Sequence, residues 1–176
     1  GYAALALAFP KNAAAVAPLE EEARSADAED QQFARSALTL VALLAQESDP
    51  DSVLSRGLSD PNPEIRALSV NAFNFLGGQD LVLRLIEALE DPSPRVRVFA
   101  ANALGFFSDV RAVVPLIEAL HDVDSQVAAF AALSLGFLAD LRPVEPLIEA
   151  LTFRDPEARS FAAVALGFLG DGRAVI

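Results

Sequence analysis

Three copies of one pentapeptide, Leu85-Ile86-Glu87-Ala88-Leu89, Leu116-Ile117-Glu118-Ala119-Leu120 and Leu147-Ile148-Glu149-Ala150-Leu151, follow one another at a spacing of 31 residues. A fixed period of this size means that one supersecondary unit is repeated, and that no copy buries its apolar faces without its neighbours. One more step towards the N-terminus reaches Leu54-Ser55-Arg56-Gly57-Leu58, a worn copy. Each copy continues through a turn rich in Asp and Pro, such as Asp60-Pro61-Asn62-Pro63 or Asp91-Pro92-Ser93-Pro94. A second apolar segment follows, ending in Asn74-Phe75-Leu76, Gly105-Phe106-Phe107, Gly136-Phe137-Leu138 or Gly167-Phe168-Leu169.

Inside the second segment, Val96, Phe99, Ala100, Ala103, Leu104 and Phe107 fall at i, i+3, i+4, i+7, i+8 and i+11. This spacing is helical, and Val82, Leu85, Ile86 and Leu89 repeat it in the first segment. Pro92 and Pro94 cannot continue the first helix, whereas Pro94 fits the first turn of the next one. Helix, turn, helix and short loop therefore make a hairpin, and stacked hairpins make an all-α solenoid. The period predicts helices over 82–90, 94–107, 113–121, 125–138, 144–152 and 156–169, with less regular pairs over 13–26/30–45 and 51–59/63–76. The repeats run over about 13–50, 51–79, 80–110, 111–141 and 142–171 of one domain, 1–176. Tyr2–Phe9 matches Phe161–Phe168 in register, and 172–176 repeats the entry to a first helix. A partial repeat over 1–12 and the start of another over 172–176 are expected, as in a piece of a longer array.

Composition narrows the chemistry. No unbroken apolar run approaches the roughly 18–20 residues of a membrane span. The formal net charge is −12, and nine of the acids face only Arg24 and Arg35 between residues 13 and 52. Such a balance disfavours a general grip on nucleic-acid phosphates or an anionic membrane. Without Cys and with a single His, the chain lacks the residues for a thiolate or imidazole metal site. Ser125, Ser134 and Ser160 have no basic partner for activation, and Gly77-Gly78 is too little for a phosphate loop. No catalytic residue, cofactor-binding residue or metal ligand is expected.

Several positions recur with the period. Asp60 and Arg66, like Asp91 and Arg97, stand six apart, which sets a carboxylate in the turn and a guanidinium in the first turn of the second helix. The series breaks where Asp122 faces Ala128 and where Phe153 takes the Asp position opposite Arg159, leaving Asp155 as the expected substitute. Asp109, Asp140 and Asp171 precede Arg111, Arg142 and Arg173 by two residues and read as caps of the following helix. A shared metal is excluded by their separation, about 10 Å per repeat. Eight of the twelve Phe form two columns: Phe9, Phe75, Phe106, Phe137 and Phe168, and Phe99, Phe130 and Phe161. Both are expected in the core, with an aromatic groove as the competing idea. Gly105, Gly136 and Gly167 are expected to allow close helix approach, and Asn74 to loosen packing or add a polar contact. His121 reads as a solvated turn residue.

The pattern of Leu-Ile-Glu-Ala-Leu, a turn Asp, an Ala-Leu-Gly-Phe-Leu helix end and an Asp-x-Arg-Ala-Val entry resembles the HEAT-like repeats first described in phycobilisome lyases. The resemblance covers nearly the whole chain. It implies a right-handed α-solenoid of stacked antiparallel helix pairs in which the Asp/Arg pairs form a ladder linking adjacent repeats. For function it implies either a non-catalytic scaffold for a protein or peptide partner, or a component of a bilin lyase or phycobiliprotein-processing factor. HEAT-like enzymes that hydroxylate a modified lysine with iron would need several His-Glu pairs, and His121 is followed by Asp122. HEAT-like DNA glycosylases present a basic concave surface, against the acid excess here. The inner face of the second helices is left for binding: Asn71, Asn102, Leu133 and Val164 lie away from the apolar stripe, as do Ala67, Val98, Ala129 and Ser160. The first row, amide at one end and aliphatic at the other, suits a helix or extended peptide.

Overall fold

A computed structural model describes residues 13–24, 27–46, 49–76 and 81–170, and these residues are helical with no strand. They divide into two compact units on either side of Gly78 and Gln79. In the first unit, α1 (Ala13–Glu22) packs on α2 (Ala28–Gln46), α3 (Pro50–Gly57) on α4 (Pro63–Leu76), and α2 on α4. In the second, the hairpins are α5 (Leu81–Ala88) with α6 (Pro94–Phe106), α7 (Val113–Ala119) with α8 (Ser125–Phe137), and α9 (Val144–Ala150) with α10 (Pro156–Leu169). The second helices stack in series, α6 on α8 on α10. The helices anticipated from the period agree with these bounds to within four residues at each end. The expected partial repeat 1–12, the start at 172–176 and Asp171 lie outside the described residues, as do the side chains of Asn74 and Phe75.

Each hairpin turn is fixed by its own polar residues. The carboxylates of Asp60, Asp91 and Asp122 accept the amides of Asn62, Ser93 and Asp124, each at 2.8 Å, and so bend the chain into the second helix. Asp124 then accepts the amides of Gln126 and Val127, and Asp155 those of Glu157 and Ala158, satisfying donors that a helix start leaves open. Packing uses the same repeat position throughout. Leu54, Leu85, Leu116 and Leu147 are all fully buried, so the worn first copy keeps the one side chain that the core requires. In the second unit Val96, Leu104, Val127, Leu135, Ala162 and Leu166 of the second helices are buried as well.

Second helices approach closely because glycine lies in their seam. A Cβ on Gly105 would stand 2.9 Å from Ser134 Cβ, and one on Gly136 would stand 2.7 Å from Ala165 Cα. Gly167 has nothing within 4 Å of such an atom, so the expected close approach does not occur there; the seam with a following helix is absent among the described residues. Ser134, which a search for nucleophiles would single out, is instead committed to the seam. Its buried hydroxyl donates to the Ala101 carbonyl at 2.8 Å and ties α8 to α6.

The second helices end in a left-handed residue one repeat apart: Ser108, Ala139 and Gly170, with φ of 50°, 53° and 69°. Only Gly takes this conformation without a Cβ clash, which costs other residues about 1–2 kcal/mol. Ala139→Gly is therefore expected to stabilise the chain by about 0.5–1 kcal/mol, the relief being partly offset by the freer unfolded chain. Gly170→Ala should do the reverse, and urea unfolding of both variants checks the pair.

Candidate functional site

Two arrangements bear on function: a ladder of Arg and Asp at the hairpin turns, and an apolar face on the second helices. At the turns, the guanidinium of Arg66 donates to the carbonyls of Asp60 and Pro61 at 2.8 and 3.2 Å, and that of Arg97 to the carbonyls of Asp91 and Pro92 at 2.9 and 3.4 Å. The six-residue spacing thus brings Arg to the backbone of its own turn. Arg97 continues into the next repeat, where Nε and Nη2 meet the two oxygens of Asp122 at 2.7 and 2.8 Å. This is one rung of the anticipated ladder, and it runs from one repeat to the next.

Burial by itself pushes Asp122 up, but the bond from Arg97, the amide of Asp124 and the Arg97 charge outweigh it and hold the carboxyl below its ordinary value. Arg97 is held above its own, first by the bond to Asp122 and against its partial burial. The break in the series falls differently from the expectation. Asp122 is occupied by Arg97, and Asp155 does not replace the missing Asp for Arg159 because it caps α10; Arg159 donates to the carbonyls of Phe153 and Arg154 at 2.8 and 2.9 Å. Asp109 and Asp140 do not cap the following first helices as expected, because α7 and α9 begin after Ala112 and Pro143. Asp109 caps the short 3-10 turn Val110–Ala112, and each Asp accepts the amide two residues on and pairs with the guanidinium of that residue, Arg111 or Arg142. These bonds lower both carboxyls.

The second-helix face corrects the expectation of a buried Phe column. Phe106, Phe137 and Phe168 are 65%, 42% and 57% exposed, although their rings stack along the series with centroids 6.3 and 5.3 Å apart. The reason lies in the helix itself. Each of these Phe follows a fully buried Leu (Leu104, Leu135, Leu166) by two residues, about 200° round an α-helix, and so points away from the first helices. The other column, Phe99, Phe130 and Phe161, is half-buried, with Phe130 and Phe161 edge to face at 5.8 Å.

Asn102, Leu133 and Val164 lie beside the exposed Phe column, about 40° round the same helices. Asn102 and Leu133 are half-buried, and Val164 is exposed. Asn71 is half-buried on α4 in the first unit. The companion row is only partly available: Ala67 and Ala129 are fully buried, Val98 is half-buried and Ser160 is exposed. A helix flanked by a first helix and by neighbouring second helices keeps only a narrow strip open, and Ala129 falls outside it. The exposure of Phe106, Phe137 and Phe168 was not anticipated from the sequence, where the two-residue offset from a core Leu was the available signal.

Among the described residues no group of three or more His, Cys, Asp and Glu could hold a metal ion, and no helix is long and apolar enough to cross a membrane. His121 is exposed and rests against Phe153 at 5.8 Å between centroids.

Residues 50–128 and 113–176 match the sequence model of HEAT repeats. Comparison with curated protein sequences returns no match. Among solved structures, human deoxyhypusine hydroxylase in complex with glycerol is similar with a TM-score of 0.66 and 20% identity, over 95% of this chain and 66% of that one. An engineered protein is similar with a TM-score of 0.59 and 23% identity, over 91% of this chain and 83% of that one. At such identities the likeness concerns the fold alone.

Proposed function

Because the chain belongs to the HEAT-repeat family, an α-solenoid of helical hairpins, we propose that it is a non-catalytic scaffold docking a partner polypeptide on the open face of α6, α8 and α10. The observation that carries this reading is the exposed Phe106, Phe137 and Phe168 stack, continued by Leu133 and Val164. Aromatic rings in contact with water are the anchors on which interfaces concentrate their binding energy. Asn102 adds an amide that can bond a peptide backbone, and the net charge of −12 favours a polypeptide over nucleic acid. The absence of catalysis is supported by what the polar side chains already do: Ser134 and Ser160 donate to the carbonyls of Ala101 and Pro156, and His121 stands against Phe153.

A photo-crosslinker at Phe106 or Phe168 should capture the partner through an identifiable peptide. Leu133→Glu with Val164→Glu should reduce that capture at least about tenfold with the helical circular dichroism unchanged. Undiminished capture by the folded double variant would overturn the assignment. A bilin-lyase or phycobiliprotein-processing component is the second reading, favoured by the near-parallel planes of the stacked rings, 23° and 26° apart, which suit a flat tetrapyrrole. Added bilin should then show an absorbance shift that Phe137→Ala removes; no shift ends this reading.

A further inference from the structure

The hairpin turns after α3, α5 and α9 are each closed in the same way: a guanidinium six residues on donates to two successive turn carbonyls, from Arg66, Arg97 and Arg159. In the turn after α7 the corresponding position is Ala128, so the carbonyls of Asp122 and Val123 lack that donor. A cavity of about 270 Å³ lies at this place, lined among others by Asp122, Val123, Ala128, Phe153 and Asp155. The next repeat has changed with it. Where Asp122 receives Arg97 one repeat earlier, the equivalent position is Phe153, so the missing cation faces a ring in place of a carboxylate.

We propose that this cavity receives the guanidinium of an arginine presented by a partner polypeptide. The bound guanidinium donates to the carbonyls of Asp122 and Val123 as the three internal arginines do at their own turns. Its plane lies on Phe153, a cation–π contact that desolvation strengthens. Asp155 and the net charge of −12 supply attraction without a fixed ion pair, opposed by Arg154, which also lines the cavity. Arginine is selected over lysine because two neighbouring carbonyls and a ring match a planar fork and not a point charge. The site sits at the N-terminal end of α8, about 13–18 Å along the helix from Phe137, so it is separate from the open second-helix face and either can fail alone.

The test uses the full chain, nuclear magnetic resonance, and a short Gly/Ser peptide carrying one Arg, with citrulline and Lys versions and free agmatine. The Arg peptide should shift the amides near Asp122–Ser125 and Phe153–Asp155, and citrulline should weaken binding at least about tenfold. Ala128→Arg should close the turn from within and abolish the shifts, and Phe153→Ala should weaken binding several-fold with helicity intact. Leu133→Glu with Val164→Glu should leave these shifts unchanged. The proposal is overturned if citrulline or Lys peptides bind as well as the Arg peptide. It is also overturned if the Arg peptide binds Ala128→Arg, or Phe153→Ala should the former not fold, as it binds the wild type. Agmatine binding as tightly as the peptide would overturn the polypeptide source.

Discussion

Gly136→Val is expected to destabilise the chain by about 3 kcal/mol, a fall of roughly 6–12 °C in Tm for a domain of this size. The added Cβ would stand 2.7 and 2.9 Å from Cα and Cβ of Ala165 and 3.2 Å from a ring carbon of Phe168. The first of these is backbone, so no rotamer change relieves the clash and α8 must part from α10. Separation then exposes Leu135, Leu166 and Ala162, which are fully buried. Gly167→Ala is the matched control. With nothing within 4 Å of its new atom, it should stabilise by up to about 1 kcal/mol through helix propensity alone. Thermal unfolding of the two variants in parallel distinguishes a crowded seam from a general intolerance of side chains at this repeat position. Equal and small effects would show that the seam does not have the closeness described.

Arg97→Ala is expected to cost about 2–4 kcal/mol. The guanidinium makes a two-point pair with Asp122 and closes the carbonyls of Asp91 and Pro92, and both charged side chains are only 12% exposed. An exposed pair of the same chemistry contributes little, and the difference here is that removing Arg97 leaves a largely buried carboxylate with the Asp124 amide as its remaining bond from the turn. The pair also sets a pH dependence. The Asp122 carboxyl is held below its ordinary value of 3.8, so its stabilisation is complete above that value and is lost as pH falls through the lower folded-state value. Wild type should therefore lose more stability than Asp122→Asn between about pH 5 and about pH 3. Urea unfolding across that range checks it, and parallel profiles for the two proteins would refute the coupling.

The rungs also show what a partner-free reading of the sequence can and cannot locate. The six-residue Asp-to-Arg spacing identified the residues of the ladder, but it suggested a carboxylate and a guanidinium meeting within one turn. In the structure Arg97 takes the carbonyls of its own turn and the carboxylate of the next repeat. Spacing within a repeat measures distance along one hairpin; which neighbour a long side chain reaches depends on how hairpins stack. The break at Ala128 was likewise visible as a missing residue, whereas the cavity it borders, with Phe153 on its wall, exists only once two repeats are placed together.

Helix type, hairpin order, turn positions and the core leucines followed from the sequence alone, because a period of 31 residues and helical apolar spacing are local constraints that each copy repeats, with paired prolines marking two of the turns. Leu54 kept its buried place even where its pentapeptide had worn away. The side of the helix on which a Phe column lies was decided only by tertiary structure. Phe106, Phe137 and Phe168 are as apolar as Leu104, Leu135 and Leu166, and apolarity alone puts both in the core. What separates them is about 200° of helix rotation relative to the first helices, which cover one side of each second helix and leave the other to its neighbours and to water.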